Sequence, residues 1–434
     1  MVSSPDQPQM QTARRLSKTI RPEAQARRIP PFIDRKRIFD VALGFFLGMC
    51  GSDQALAKQL SLPASTEMQI RVSAASPQFS IPRSDNVLPI HVFGGPDRAY
   101  ITLTICVPGT SECQTIPKIV LDTGSSGLHL NSSALALSLP SELDAHAQVI
   151  AERQGYSSGV VTWGSVRLGD VVLGNERANW IPIQVINPKF AGGPPGGSTG
   201  TTLGGNGVLG TAPMRTDCGQ NCATTITQQY FSCRGTTCSA ITLPISQQLV
   251  NPIHALPFDN NGLIVRLPAV PDDGAPEPVV GSLTLGIGTQ PDNMPSKVNV
   301  IKTDGWGQTA AKLYDRIYQR VIFDTGALTI SFPTGSTPVA KCGKDFSGYL
   351  CPPTPFAVPI TLVEANGMEF SSSIRILDRV PALLKDNARL VDNGVANEWS
   401  NYVSIGLPFF MGKTIYFGIE DSSTPLGDGP FVAF

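Results

Sequence analysis

Two copies of the tripeptide Asp-Thr-Gly lie about 200 residues apart in this 434-residue chain. The first, Asp122–Gly124, directly follows the apolar segment Ile119–Leu121, and the second, Asp324–Gly326, directly follows Val321–Phe323. Two carboxylates held close together cannot both ionise easily, so one serves as a base while the other keeps a proton. Such a pair can activate a water molecule and protonate a leaving group without a metal or a covalent intermediate.

The residues after each aspartate suit two rigid loops that face each other. Gly124 and Gly326 permit the tight turns that bring backbone N–H groups to the carboxylates. Thr123 and Thr325 are expected to hydrogen-bond across the two loops and to fix their spacing. Together these residues support the proposed pair of aspartates.

The two loops are expected to differ at the residue that follows the glycine. Ser125 can donate a hydrogen bond to the outer oxygen of Asp122, whereas Ala327 offers no hydroxyl to Asp324. The two aspartates are therefore predicted to form a pair with unequal support.

A second duplicated segment follows each Asp-Thr-Gly. Val208–Gly210 ends 88 residues after Asp122, and Ser404–Gly406 ends 82 residues after Asp324. An internal repeat with a period near 200 residues indicates two lobes of one architecture related by a pseudo-two-fold axis.

The composition favours short strands. Only 15% of the residues are charged, and the chain contains 42 glycines and 37 prolines, which are typical turn residues. Helical periodicity is confined to Ser132–Leu139, Ala310–Tyr318 and Pro381–Lys385. Short apolar or alternating runs bounded by turn residues predict strands at Leu88–Phe93, Tyr100–Val107, Ile119–Leu121, Gly159–Leu173, Trp180–Val185, Ser282–Gly288 and Thr414–Ile419.

The start of the chain is expected to be a leader. Residues 1–37 carry nine basic and three acidic side chains, the apolar run Val41–Cys50 follows, and Ala55–Ala57 is a small-x-small site. This pattern is typical of a secretory signal peptide over residues 1–57, with a polar linker at 58–84. A lipid anchor at Cys50 is the alternative. The apolar run is too short to span a membrane, and the net charge of −1 excludes a polybasic nucleic-acid binder.

The other eight cysteines form near-neighbour sets, as expected for disulfides in an oxidising compartment. Cys106 pairs naturally with Cys113, and Cys342 pairs with Cys351. The four between them allow three connectivities, and the sequence does not choose among them. A metal site is disfavoured because the chain has no C-x-x-C motif. The middle set is Cys218, Cys222, Cys233 and Cys238.

The duplicated motifs resemble the pepsin-like aspartic peptidases over about residues 87–434. The segment Cys106–Ile116 resembles more closely a bacterial group of uncharacterised exported pepsin-like proteins. The resemblance implies an all-β, bilobal fold with a cleft between two pseudo-two-fold-related lobes. The expected lobes are residues 85–250 and 251–434.

The same resemblance implies an aspartic-type endopeptidase in which Asp122 and Asp324 are catalytic. The expected partner is a polypeptide substrate, with no cofactor and no metal, for a monomer exported to the periplasm or the extracellular space. The family's flap tyrosine position holds Glu152 here, and Tyr156 lies near the expected hairpin tip, so both are candidate substrate-binding residues. The position of the family's supporting tryptophan holds His129. The alternative is an inactive protein that binds a peptide or another ligand in the cleft.

Three further glycine motifs are expected to be misleading. Gly155–Gly159 fits the nucleophile elbow of serine hydrolases, but a strand rather than a helix is predicted after it. Gly205–Gly210 and Gly406–Thr414 resemble nucleotide-binding loops, and they too lack a predicted helix.

Overall fold

The computed structural model describes residues 86–93, 98–194, 204–271, 278–314, 316–333, 339–343, 349–364, 367–377, 394–397 and 401–434. For residues 394–397 it describes the backbone alone. The predicted leader at 1–57, with Cys50, and the linker at 58–84 lie outside these residues. The helical segment predicted at Pro381–Lys385 also lies outside them.

The first part of the chain is built from strands. They are β1 Val87–Phe93, β2 Arg98–Cys106, β3 Cys113–Asp122, β4 Ser126–Asn131, β5 Val149–Gly155, β6 Val161–Leu173, β7 Glu176–Ile186, β8 Gly207–Thr211, β9 Tyr230–Arg234, β10 Thr237–Ala240, β11 Gly262–Arg266, β12 Val279–Leu285 and β13 Val300–Lys302.

The remainder of the chain is also β. Its strands are β14 Thr309–Leu313, β15 Arg316–Asp324, β16 Ile330–Pro333, β17 Phe356–Val363, β18 Glu369–Ile376, β19 Gly394–Asn397, β20 Tyr402–Gly406, β21 Thr414–Gly418, β22 Ser423–Thr424, β23 Gly427–Asp428 and β24 Phe431–Ala433. Among the described residues, helix is limited to α1 Gln220–Thr224 and the 3-10 turns Ser132–Ala134, Phe190–Gly192, Ile245–Gln247, Pro291–Asn293 and Leu407–Phe410.

The strands form two large sheets and one small one. Strands β1–β13, β21 and β24 make a 15-stranded sheet, β14–β20 make a seven-stranded sheet, and β22 pairs with β23. The expected all-β, two-lobed fold is confirmed, with one Asp-Thr-Gly loop in each large sheet. Strands β11–β13, β21 and β24 follow residue 250 in the chain yet belong to the larger sheet, and the lobe boundary at 250 stays a prediction.

The two loops have the same strand arrangement. Strand β3 runs parallel to β8 with Asp122 opposite Gly210, and β15 runs parallel to β20 with Asp324 opposite Gly406. The strand after each loop, β4 or β16, pairs antiparallel with the same partner, β8 or β20. The sequence repeat is therefore a structural repeat, and in each copy an apolar-Gly strand supports the aspartate loop.

A continuous apolar core lies beneath both loops. Leu121 and Phe323, each directly before an aspartate, are almost fully buried in this core. The ring of Phe323 packs 5.6 Å from the rings of both Phe409 and Phe434. Removing this apolar surface from water holds the strands that carry the two loops, so the spacing of the aspartates depends on the core of the fold.

Most of the sequence-based secondary structure is confirmed, with one error. Ala310–Tyr318, predicted as helical, forms parts of β14 and β15. Thr309, Ala311 and Leu313 are buried and alternate with more exposed neighbours, which is the period of a strand facing the core.

The three misleading glycine motifs are also placed. Gly155–Gly159 lies at the turn between β5 and β6, and Gly205–Gly210 leads into β8. Gly406–Thr414 contains a short 3-10 turn and ends at β21. None of them precedes the long helix that its motif requires.

Four disulfides close local loops in the described chain. The predicted bonds Cys106–Cys113 and Cys342–Cys351 are confirmed. The middle four cysteines, whose pairing the sequence left open, form Cys218–Cys222 and Cys233–Cys238. Cys106–Cys113 joins the ends of β2 and β3, the second of which leads to Asp122.

Candidate active site

The Asp122 carboxylate is held by its own loop. Its Oδ1 accepts a hydrogen bond from the Gly124 N–H at 2.8 Å, and its Oδ2 accepts one from the Ser125 hydroxyl at 2.6 Å. Both oxygens of this carboxyl group therefore have a donor within the same loop. The contact expected between Ser125 and the outer oxygen is present.

The Asp324 loop supplies backbone donors to one oxygen. Oδ1 accepts hydrogen bonds from the N–H groups of Gly326 at 2.8 Å and Ala327 at 3.1 Å. Ala327 has no hydroxyl to match that of Ser125. The two carboxylates thus have unequal environments, as the sequence predicts.

Thr123 and Thr325 tie the two loops together. The Thr123 hydroxyl donates to the Phe323 carbonyl at 2.8 Å and accepts from the Thr325 N–H at 3.0 Å. The Thr325 hydroxyl donates to the Leu121 carbonyl at 2.7 Å and accepts from the Thr123 N–H at 3.1 Å. Four buried backbone groups are satisfied by this exchange, which fixes the distance between the strands that carry the aspartates.

The glycines allow the carboxyl groups to approach each other. A Cβ on Gly124 would lie 2.5 Å from the Asp324 carboxyl carbon, and one on Gly326 would lie 2.8 Å from that of Asp122. Both distances are far below van der Waals contact, so a side chain at either position would force the pair apart. The glycines are therefore needed for the close approach of the carboxyl groups, whereas neither has the positive φ that would make glycine necessary for the turn itself.

The two carboxyl groups are in hydrogen-bonding contact with each other. Burial, followed by the negative charge of Asp122 and the hydrogen bond with it, raises the pKa of Asp324 well above its ordinary value. The raised pKa favours the protonated form of Asp324. This arrangement provides an acid and a base side by side.

An open cavity of about 360 Å³ lies over the pair and is lined by both aspartates. Tyr156, Ser157 and Ser158, from the turn between β5 and β6, also line it. The cavity has room for water molecules beside the carboxyl groups. Tyr156 therefore lies at the cavity, and its contact with a substrate stays a prediction.

The hairpin tip touches the opposite sheet. The Tyr402 hydroxyl, at the start of β20, makes hydrogen-bonding contacts with Ser157 and Ser404. Burial and the charge of Asp324 raise the pKa of Tyr402 to about 12, so the hydroxyl stays protonated. This contact joins the tip to the strand that supports the Asp324 loop.

Glu152 lies elsewhere than its alignment with a flap tyrosine suggests. Its side chain is fully buried and is not among the residues that line the cavity. It lies in hydrogen-bonding contact with the carboxyl of Asp217, and Gln229 donates to both carboxyls, at 3.4 Å and 2.6 Å. Its position supports a role inside the hairpin and not on its surface.

The buried carboxyls keep protons more readily than exposed ones. Burial raises the pKa of Glu152 well above its ordinary value, and the neighbouring Asp217 adds to the effect. Burial also raises the pKa of Asp217, to about 6, although the Tyr230 hydroxyl donates to it at 2.6 Å. This acidic pair was not found from the sequence, because its members lie on separate elements and carry no local motif.

His129 packs between this pair and the hairpin tip. It is fully buried, its Nδ1 lies 3.1 Å from the Gln184 Oε1 and 3.7 Å from the Glu152 Oε2, and its ring meets that of Tyr156 edge-on. Burial lowers the pKa of His129, so the ring is neutral. His129 therefore has the environment of a buried packing residue.

Arg98, at the start of β2, lines the same cavity as the aspartates. One arginine before a strand carries no recognisable signal of a site residue in the sequence. In the described part of the chain, no set of three or more His, Cys, Asp or Glu side chains is placed to hold a metal ion. No helix among the described residues is long and apolar enough to cross a membrane.

Fold and site together define an all-β protein with two sheet-borne Asp-Thr-Gly loops whose carboxyls meet under an open cavity. The chain belongs to the family described as a protein of unknown function (DUF3443), whose profile matches residues 82–434. A comparison with curated protein sequences finds no match.

Two solved structures are similar to the chain at low sequence identity. An aspartic proteinase from Irpex lacteus has a TM-score of 0.47 and 13% identity, with 80% of this chain and 96% of that chain covered. Basic 7S globulin from soybean has a TM-score of 0.44 and 12% identity, with 80% of this chain and 93% of that chain covered.

Proposed function

We propose that the protein is an aspartic-type endopeptidase. The observation that carries this proposal is the hydrogen-bonding contact between Asp122 and Asp324 at the base of an open cavity. Two like-charged carboxylates in a buried site are costly to the fold, and a shared proton turns that arrangement into an acid–base pair.

The chemistry follows from the unequal environments of the two carboxyls. The ionised Asp122 takes a proton from a water molecule, and the water oxygen attacks the carbonyl carbon of a peptide bond while Asp324 gives its proton to the carbonyl oxygen. Collapse of the resulting gem-diol breaks the C–N bond: the amine nitrogen takes the proton held by Asp122, and a hydroxyl proton of the gem-diol returns to Asp324. One water molecule is consumed, and the pair ends in its starting state.

The roles of the supporting residues are part of the same proposal. Thr123, Thr325, Gly124 and Gly326 hold the pair at its spacing, Ser125 stabilises the ionised Asp122, and Tyr156 contacts the substrate. We infer in addition that the protein works as an exported monomer on polypeptides. The disulfides support an oxidising compartment, where such bonds persist.

The test is digestion of an unfolded protein at about pH 4, in the acidic range where an aspartate pair holds one proton. Wild-type protein is expected to cleave the substrate in a pepstatin-sensitive manner, and Asp122→Asn and Asp324→Asn are expected to remove cleavage while circular dichroism stays unchanged. The exposed Asp292→Asn is the matched control and keeps full activity. Cleavage that survives either dyad substitution contradicts the assignment, and peptide binding without cleavage by wild-type protein supports the non-hydrolytic alternative.

A further inference from the structure

The cavity above the aspartate pair contains a positive charge. Arg98 is the one cationic side chain among the described residues that line it, and apart from Asp122 and Asp324 the rest are apolar, hydroxyl-bearing or glycine. Burial lowers the pKa of Arg98, and the negative charges of Asp122 and Asp324 oppose this shift. None of the ion pairs in the described part of the chain includes it.

The local structure makes room for this guanidinium. A Cβ on Gly204 would collide with the Arg98 Nε, so the absence of a side chain there leaves the space that Arg98 fills. The Tyr100 hydroxyl donates to the Gly204 carbonyl at 2.6 Å, which ties this segment to β2. Arg98 is therefore half-buried against the Gly204 segment.

We propose that Arg98 selects substrates that carry an acidic side chain beside the bond to be cleaved. This inference rests on the proposed peptidase function. A guanidinium presents parallel N–H donors that match a carboxylate, and such charge-assisted bonds are about twice as strong as neutral ones. Among the described residues that line the cavity, Arg98 is the one cationic partner available to an incoming carboxylate.

Partial burial increases the selectivity of this contact. A guanidinium that has lost part of its water is stabilised more by a carboxylate than by an amide of the same shape. A substrate glutamine would fit the same space without the charge, so glutamate and glutamine form the cleanest comparison. The raised pKa of Asp324 favours its protonated form at mildly acidic pH, where a substrate glutamate is already ionised.

The experiment uses internally quenched peptides with amidated C termini that differ by one residue, Glu, Gln or Leu, on either side of the scissile bond. Cleavage is measured at about pH 5.5, above the ordinary pKa of glutamate. Wild-type protein is expected to show a kcat/KM for the best Glu peptide about tenfold above that of its Gln counterpart. Arg98→Gln is expected to bring this ratio close to one, Arg98→Lys to give an intermediate ratio, and Arg98→Glu to favour a Lys peptide.

The matched control is Arg234→Gln, which removes an exposed arginine at the turn between β9 and β10 and is expected to keep the wild-type ratio. A neutral peptide with a free C-terminal carboxylate separates the two sources of a carboxylate. The proposal is overturned if wild-type protein does not distinguish Glu from Gln, if Arg98→Gln keeps the preference, or if the preference follows the terminal carboxylate.

Binding distinguishes failure of this inference from failure of the proposed function. If wild-type protein cleaves no peptide, the peptidase assignment fails, and peptides of the same sequences that carry a fluorophore but no quencher are used in fluorescence anisotropy. Tighter binding of the Glu peptide than of the Gln peptide, lost in Arg98→Gln, supports the role of Arg98. Equal binding of the two peptides overturns it.

Discussion

The Thr123 and Thr325 hydroxyls each hydrogen-bond to backbone groups of the opposite Asp-Thr-Gly loop. The strand that carries one aspartate is therefore held by the threonine that follows the other aspartate. The hydroxyl of Thr325 donates to Leu121, directly before Asp122, and that of Thr123 donates to Phe323, directly before Asp324. The spacing of the two carboxyls is therefore fixed by bonds between the repeats. A substitution in one Asp-Thr-Gly loop is therefore expected to change the position of both carboxyl groups.

Thr325→Ala is expected to lower the free energy of unfolding by about 2–4 kcal/mol, because it leaves a buried carbonyl and a buried N–H without partners. Thr325→Ser keeps the hydroxyl and is expected to lose less. Since both threonines belong to one exchange, the double variant Thr123→Ala/Thr325→Ala is expected to lose less than the sum of the single losses. Urea denaturation measures all three, and strict additivity would contradict a shared exchange.

The pH profile of cleavage is expected to extend above the ordinary range of a carboxyl group. Because the pKa of Asp324 is raised by burial and by Asp122, the proton needed by the mechanism is lost only at a pH well above 3.8. Activity is expected to persist through mildly acidic pH and to fall as Asp324 ionises. The measurement is kcat/KM against pH, and a profile that collapses by about pH 4, where an unperturbed aspartate is half ionised, disagrees with the assigned proton.

The hairpin tip is expected to contribute through Tyr156. Tyr156→Ala removes a ring that lines the cavity and packs against His129, and it is expected to lower kcat/KM by about tenfold or more, equivalent to ~1.4 kcal/mol. Tyr156→Phe keeps the ring and is expected to retain most activity. Ile226→Ala, at an exposed apolar residue, is the control for loss of side-chain volume. Equal kcat/KM in Tyr156→Ala and wild-type protein would show that Tyr156 does not contribute to substrate binding.

The site residues could be predicted from the sequence where a short local motif carries them and occurs twice in the chain. Each Asp-Thr-Gly loop and each glycine at the end of an apolar strand is recognisable as a short motif. In the fold, Asp122 lies opposite Gly210 and Asp324 lies opposite Gly406 in parallel strand pairs, so the repeat in the sequence is also a repeat in the structure. Cys106–Cys113 and Cys342–Cys351 were likewise predictable from proximity in the chain.

Contacts between distant segments left no such signal. Glu152 meets Asp217 across 65 residues because of how β5 pairs with β9 and where the loop after β8 lies. An alternating strand pattern does not tell whether Glu152 faces the cavity or the interior, since a shift of one residue moves a side chain to the other face. Arg98 could not be recognised as a site residue from the sequence either. It lines the cavity together with residues of distant strands, such as Val120 of β3 and Val208 of β8.

The buried pair Glu152 and Asp217 is expected to make the free energy of unfolding fall as pH rises. Because the folded pKa of Asp217 is about 6 against an ordinary 3.8, and that of Glu152 is also raised, the folded state binds more protons than the unfolded state between these values. The stability contribution is complete below about pH 4 and is lost as pH rises through about 6.

Asp217→Asn can still accept the hydrogen bonds of Gln229 and Tyr230 and does not ionise in either state. It is expected to reduce the loss of stability between pH 4 and 7 by about 2–3 kcal/mol. Thermal melts across this range measure the effect, with the exposed Asp292→Asn as the control. A melting curve of the Asp217→Asn variant with the same pH dependence as that of wild-type protein would show that the carboxyl is not protonated in the fold.

The four disulfides predict a defined thiol content. Protein produced in an oxidising compartment with its leader removed is expected to react with no thiol reagent after denaturation, because the eight remaining cysteines are paired. Each bond closes a loop of only 4 to 9 residues, so its loss is expected to cost about 2–3 kcal/mol. Reduction is therefore expected to lower the melting temperature progressively, and the double variant Cys233→Ser/Cys238→Ser, on the β9–β10 hairpin, removes one such increment without touching the aspartate loops. A denatured exported protein with free thiols, or one whose melting temperature is insensitive to reduction, would argue against these pairings and the compartment they imply.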